Sequence, residues 1–228
     1  MAVLDPAETH HLISVLRLKT GEEIGLLDGK GSVYKAKIAH IKKEGVEVEI
    51  VSTRREQPPK TLVYLGQGLL KGKKMDFLFQ KATELGVAGF CPFFSRRCIT
   101  KEKSAHQQDR WQQITIEACK QCGQPFLPQF YPTTDFDAVL TIGQAFGLRL
   151  ILWEGDCRPL KEVLTQYSPP GSILFLVGPE GGFSPEEVDK ARAAGFLPVS
   201  LGKLVLRSET AALAMLSILQ FHCNHLGG

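Results

Sequence analysis

The chain has 228 residues, 43% of them hydrophobic and 22% charged, with a formal net charge of +3. This is the composition of an ordinary globular protein, one large domain or a small domain followed by a larger one. No apolar run reaches the roughly 18 residues needed to span a bilayer. The opening MAVLDPAETHH lacks a basic n-region and an apolar h-region, so export is not expected and the cytosol is the expected location.

The spacing predicts a short helix over 9–18, then extended stretches at 23–27, 32–39 and 46–51. Asp28–Gly31 and Lys42–Gly45 punctuate them as turns. This is a small β-rich module over residues 1–57, closed by the charged, proline-paired segment Thr53–Lys60, which reads as a linker. From residue 58 the texture changes to strands alternating with helices. Strands are expected at 61–65, 87–94, 149–153, 173–177 and 197–201. Helices are expected at 74–85, 105–122, 159–167 and 208–221, with Gly86 and Gly123 as left-handed stops. The short, wholly apolar strands are of the kind buried on both faces of a parallel sheet, so residues 58–228 read as an α/β domain.

Charge is unevenly spread. Residues 1–57 balance, residues 58–122 carry eleven basic against five acidic side chains, and residues 123–228 carry seven against ten. A basic middle on a nearly neutral protein fits a local polyanion footprint, although each cation is equally a candidate for a solvated face. The six cysteines read as reduced thiols. Cys119 and Cys122 have the spacing of a redox or metal pair, but they lie inside a helical pattern and no second pair follows. A structural role is the better reading, and no metal site is expected.

The strand 173–177 runs into Gly178-Pro-Glu-Gly-Gly-Phe183 and then Ser184-Pro-Glu-Glu187. Ser184 suits an N-cap, Pro185 the first helical position, and Glu187 completes a capping box, with Gly195 ending the helix. A glycine-rich loop thus sits at the carboxyl end of a buried strand, where open α/β sheets place ligands. It is not a triphosphate loop, because no Lys-Ser/Thr pair follows Gly182, and its glycine spacing is not that of a dinucleotide fingerprint. Glu180 would repel a phosphate and suits a cationic ligand or one offering hydroxyl and amino donors. A tight structural turn is the alternative. A second loop, Gly202-Lys-Leu-Val-Leu-Arg207, leads into a helix whose apolar residues cover more than one face, as in a buried helix or one that also packs on a partner.

Taken together, Leu176–Ser184 and Leu201–Ala211 resemble the signature of the RsmE family of 16S ribosomal RNA uridine-N3 methyltransferases, within the SPOUT class. Lys81–Val87 and His10–Arg17 followed by Gly21 are similar to that family as well. The resemblance implies an N-terminal PUA-like β-barrel and a C-terminal α/β domain with a deep trefoil knot around a parallel sheet. It also implies a homodimer, S-adenosylmethionine as cofactor, and 16S ribosomal RNA as partner, within the small ribosomal subunit. By match of motif, Leu152, Gly178, Gly181, Leu201, Gly202 and Leu206 would line the adenosine pocket. Glu180, Arg207, Thr210 and Ala211 would border the methionine part or the reacting centre.

Transfer of a methyl group to uridine N3 requires loss of the imide proton, so the site needs a base or donors that stabilise a uracil anion. Arg207 suits the anion-stabilising role, with a helix-start pairing to Glu209 or another carboxylate as the alternative; Glu180 is the candidate base or a holder of cofactor hydroxyls. Lys71, Lys73, Lys74, Lys81, Arg96 and Arg97, with Arg17 from the small module, are the candidate phosphate contacts. Two departures from the family's pattern stand out. Lys120 and Gln124 occupy positions where the family usually has Glu and Arg, and a first barrel strand is expected to be missing. The rivals are a knotted methyltransferase acting on another RNA atom and a non-catalytic RNA-binding module of ribosome assembly.

Overall fold

The computed structural model describes residues 1–42, 45–99 and 105–227. The chain divides into two compact units, Met1–Pro58 and Pro59–Gly228.

In the first unit, β1 (Ala2–Val3), α1 (Pro6–His10) and a π-helical turn (His11–Val15) precede β2 (Glu23–Leu27), β3 (Ser32–Lys42) and β4 (Gly45–Arg55). The strands form one antiparallel sheet in the order β1-β4-β3-β2, with Leu26 opposite Tyr34 and Ile38 opposite Val48. Alternation places Ala36, Ile38, Val46 and Val48 on the buried face, where Leu4, Ile13 and Leu18 pack on them. Where no first strand was expected, the two-residue β1 pairs with Val48 and Glu47 of β4. The expected helix over 9–18 is shorter and earlier. Arg17 takes a left-handed φ of 57°, so the chain leaves helical geometry before Leu18. Strand β4 also runs through Thr53, Arg54 and Arg55, leaving less of the expected linker. These residues are exposed, so the ladder accepts their charge. The expected turn at Lys42–Gly45 falls partly outside the described residues.

The second unit comprises β5 (Leu62–Gly68), α2 (Lys74–Glu84), β6 (Gly89–Phe94), α3 (Ala105–Cys122), β7 (Gln129–Phe130), β8 (Thr134–Asp135), α4 (Phe136–Gly143), β9 (Leu148–Leu152), β10 (Arg158–Pro159), α5 (Leu160–Gln166), β11 (Ser172–Val177), α6 (Pro185–Ala193), β12 (Leu197–Ser200) and α7 (Ser208–His222). All strand pairings are parallel, in the order β10-β12-β9-β11-β5-β6-β7, with β8 also on β6. Residues 173–177 of the central strand β11 are all buried, which is why the strand is apolar throughout. Its period of two feeds two cores. Ile173, Phe175 and Val177 join Met75, Phe79, Trp111, Val163 and Leu216 on one face. Leu174 and Leu176 join Val139, Phe183 and Val188 on the other. Each such side chain contributes roughly 1.5–3 kcal/mol by burial, and Phe79 adds edge contacts to Phe90, Trp111 and Phe130.

The course of the chain gathers the motifs. After β11 it passes through α6 to β12, on the far side of β9, and then returns to α7, which packs on β5, β11 and α2. Gly86, Gly123 and Gly195 follow α2, α3 and α6 with φ of 79°, 76° and 80°, the conformation expected of helix stops. Helix α4, absent from the expected elements, is capped by the Asp135 carboxylate, which accepts from the Ala138 N–H at 2.8 Å. No helix among the described residues is long and apolar enough to cross a membrane.

Candidate functional site

Parallel strands bring their carboxyl ends to one edge, and there the loops after β9, β11 and β12 enclose a cleft of about 460 Å³. Its size is that of a small-molecule site. It is lined by 152–154, 177–183 and 200–208 together with Lys74 and Ala211. The glycine-rich loop is held rigidly at its far end by the capping box. Ser184 Oγ accepts from the Glu187 N–H at 3.3 Å, and the Ser184 N–H donates to Glu187 Oε2 at 2.8 Å. Of the loop's three glycines only Gly182 has a positive φ, 65°. Gly178 is needed for closeness instead, since a Cβ there would lie 3.0 Å from the Gly182 carbonyl carbon. Gly202, in the second loop, has φ 125°.

The electrostatics centre on Glu180. Its Oε1 accepts from the Lys71 backbone N–H at 3.2 Å and from the Lys74 ammonium at 3.0 Å. Partial burial alone would raise its carboxyl, but the Lys74 and backbone hydrogen bonds outweigh that and hold it below the ordinary carboxylate value. Lys74 also lies 3.9 Å from Glu209 Oε2, a buried atom with no hydrogen bond. One ammonium therefore stands between two carboxylates. The Arg207 side chain is exposed and has neither an ion pair nor a hydrogen bond among the described residues, so the pairing with Glu209 offered as its alternative role does not form.

Of the residues matched to a cofactor pocket, Leu152, Gly178, Glu180, Gly181, Leu201, Gly202, Leu206, Arg207 and Ala211 all line the cleft. Thr210 does not. It is exposed on the first turn of α7, about 100° around the helix from Ala211. The candidate phosphate contacts separate into groups. Arg97 donates to the Gly181 carbonyl at 2.8 Å, and Lys74 and the Lys71 backbone reach Glu180, so these three stand at the glycine loop. Arg96 pairs with Glu186 at 3.2 Å beside the start of α6. Lys73, before α2, is exposed, and Lys81 is engaged by Glu84 in the last turn of α2 at 2.8 Å. Arg17 is exposed in the first unit.

Sequence reading missed Trp153 and Glu154, which also line the cleft. The Trp153 ring carries the Arg192 guanidinium 5.3 Å from its centroid. The carboxylate of Glu154 faces Gly182, where a Cβ would stand 3.1 Å from it. Their signal was position alone, immediately after a buried strand that itself supplies Leu152. Cys91 and Cys119 are buried, and burial pushes each thiol up to about 12. Two acidic side chains (Glu154 and Glu180), three basic ones (Lys74, Lys203 and Arg207), a leucine-rich wall and two loops of exposed backbone suit an organic ligand that carries charge of both signs and an apolar part.

Residues 56–220 match the RNA methyltransferase domain family, and residues 4–51 match the RNA methyltransferase PUA domain family. The chain is 30% identical to Ribosomal RNA small subunit methyltransferase E of Bacillus subtilis, over 97% of this chain and 90% of that protein. It is 35% identical to the protein of the same name from Synechocystis, over 95% and 72%. Among solved structures it is similar to a Neisseria gonorrhoeae Ribosomal RNA small subunit methyltransferase E bound to S-adenosyl methionine. That match has a TM-score of 0.88 and 34% identity, and covers 96% of this chain and 91% of that one. A Legionella pneumophila methyltransferase in complex with SAM has the same TM-score and coverage at 35% identity.

Proposed function

The chain belongs to the RsmE family of ribosomal RNA small subunit methyltransferases, and we infer that it methylates small-subunit ribosomal RNA with S-adenosylmethionine, at N3 of a uracil in the 16S molecule. The observation that carries this reading is the cleft into which both motif loops open, lined by an anchored Glu180 and by an Arg207 whose side chain has no partner among the described residues. Its residues fit the cofactor. Leu152, Leu201 and Leu206 offer an adenine an apolar wall, and Glu180 and Glu154 favour a sulfonium. When bound, S-adenosylmethionine supplies an electrophilic methyl group.

The protein's part is alignment and charge. Holding acceptor and donor in line removes most of the orientational cost of an in-line displacement. Arg207 offers a planar fork of donors, which suits a uracil carbonyl oxygen as N3 loses its proton. Glu180 is a poor base in this setting, because its proton affinity is lowered and its oxygen is committed to Lys74. It acts as loop anchor and cation-facing wall. Lys71 and Lys73 lie on the α2 side and grip phosphates, with Arg17 contributing from the small module; Lys74, Lys81, Arg96 and Arg97 are weaker candidates because Glu180, Glu84, Glu186 and the Gly181 carbonyl already hold them. The target base must leave its stack to reach the cleft.

The same reading includes a homodimer working in the cytoplasm and a trefoil knot. Leu204 and Val205 are 82% and 85% exposed, and Ile218 and Phe221 of α7 are exposed as well, apolar side chains that a second copy could cover. The return of the chain from β12 across β9 and β11 to α7 is a path that supports the knot. Titration calorimetry with S-adenosylmethionine, followed by labelled methyl transfer to small-subunit particles and RNA from a strain lacking this gene, tests the function. Saturable binding and incorporation into 16S RNA are expected, and binding without incorporation into either substrate would refute it.

A further inference from the structure

Gln67 is a polar side chain where apolar ones are the rule. It lies near the end of β5, between Gly66 and Gly68, and is 0% exposed. Its amide Nε2 lies within reach of acceptors on three segments: the Gly68 carbonyl at 2.8 Å, Ser208 Oγ at 3.0 Å, the Gly178 carbonyl at 3.2 Å and the Val177 carbonyl at 3.4 Å. Flipping the amide would set a carbonyl oxygen against those carbonyls, so the contacts fix its orientation. Oε1 is buried without a hydrogen-bond partner among the described residues. An apolar side chain would avoid that cost, so the donor end of the amide is what the site requires.

Ser208 completes the arrangement. It opens α7, yet that helix has no side-chain cap. The Ser208 hydroxyl instead donates to the Gly178 carbonyl at 2.5 Å. Close approach is built in as well. A Cβ on Gly68 would fall 2.8 Å from Pro179 Cδ and 2.9 Å from its nitrogen. Gly178 and Ser208 both line the cleft, and Arg207 is the residue before Ser208.

We propose that Gln67 and Ser208 form a buried latch that ties the glycine-rich loop to the start of α7 and thereby sets where Arg207 stands relative to the bound cofactor. They are positioning residues. The inference rests on the methyl-transfer reading for its functional consequence, but the latch itself has a structural readout. In the ligand-free protein, Gln67→Met and Ser208→Ala are each expected to speed amide hydrogen exchange in both 178–183 and 203–210, with β9 and β11 unchanged. At saturating S-adenosylmethionine and RNA each lowers the single-turnover rate about tenfold, the worth of a strong hydrogen bond. The double variant falls little further, because the two act as one unit, and Ser208→Thr, which keeps the hydroxyl, restores the rate. Unchanged exchange in the two loops overturns the latch. A full single-turnover rate in Ser208→Ala, with only the melting temperature lowered, overturns its positioning role. If Gln67→Met does not fold, Ser208→Ala and Ser208→Thr carry the test. A wild-type protein that transfers no methyl group refutes the methyl-transfer reading alone, since the exchange measurement still decides the latch.

Discussion

Replacing Arg207 with alanine removes a guanidinium that touches no protein partner among the described residues and is exposed beside the cleft. Folding stability should therefore change by less than about 0.5 kcal/mol, as for a surface substitution. Catalysis should change far more. A single donor aimed at developing oxyanion charge is worth roughly 2.7–4 kcal/mol, or 100- to 1000-fold. Solvent reaches Arg207 in the open cleft and weakens its field, so the lower end, about 100-fold, is expected. Lysine keeps the charge but loses the planar fork, and should give an intermediate rate. The assay is single-turnover methyl transfer at saturating cofactor and RNA, with the melting temperature measured alongside. A full rate in Arg207→Ala would rule out that role for Arg207, as would weaker RNA binding with no loss of rate, which would make Arg207 a phosphate contact.

Gly68→Ala places a methyl group 2.8–2.9 Å from Pro179 and must push the glycine loop aside. Overpacking of this kind costs roughly 1–3 kcal/mol, and calorimetry should show about tenfold or greater loss of S-adenosylmethionine affinity; unchanged affinity would mean the loop does not need that approach. Ser184→Ala removes the capping box of α6 and should cost about 1 kcal/mol, seen as a shift of roughly 2–4 °C in melting temperature, with the cleft still competent. The Glu180 carboxyl is held below its ordinary value, so its contribution to stability is complete above the unfolded-state value near 4.5 and is lost as pH falls through the lower folded-state value. Acid unfolding followed by circular dichroism should begin at the same or lower pH for wild type than for Glu180→Gln, with a shallower acid limb for the variant. A steeper limb in the variant would contradict the Lys74 pairing.

Local chemistry was readable wherever neighbours in sequence are neighbours in space. Ser184, Pro185 and Glu187 announce the start of α6, Gly86, Gly123 and Gly195 follow three helices, and residues 173–177 declare a strand buried on both faces. Helix α4 escaped because Val139, Thr141 and Ile142 are β-branched and the segment is apolar on most sides, a pattern shared with short buried strands. Arg54 and Arg55 read as linker because pattern does not show that an exposed ladder can carry charge. The order β12-β9-β11-β5 has no local signature, and the latch of Gln67 to Gly178 and Ser208 spans 111 and 141 positions. The glycine-rich loop was found by its position after a strand, but the anchoring of Glu180 by Lys74 came only with the fold, since the two lie 106 residues apart.

The most direct test is to incubate the protein with S-adenosylmethionine and small-subunit particles from a strain lacking its gene, then map the product on the 16S RNA by nucleoside mass spectrometry and reverse transcription. A methyl group on N3 blocks the pairing edge of uracil, so 3-methyluridine with one new reverse-transcription stop is expected, both absent without cofactor. A methylated ribose, a methylated guanine, or no methylated nucleoside at all would contradict it.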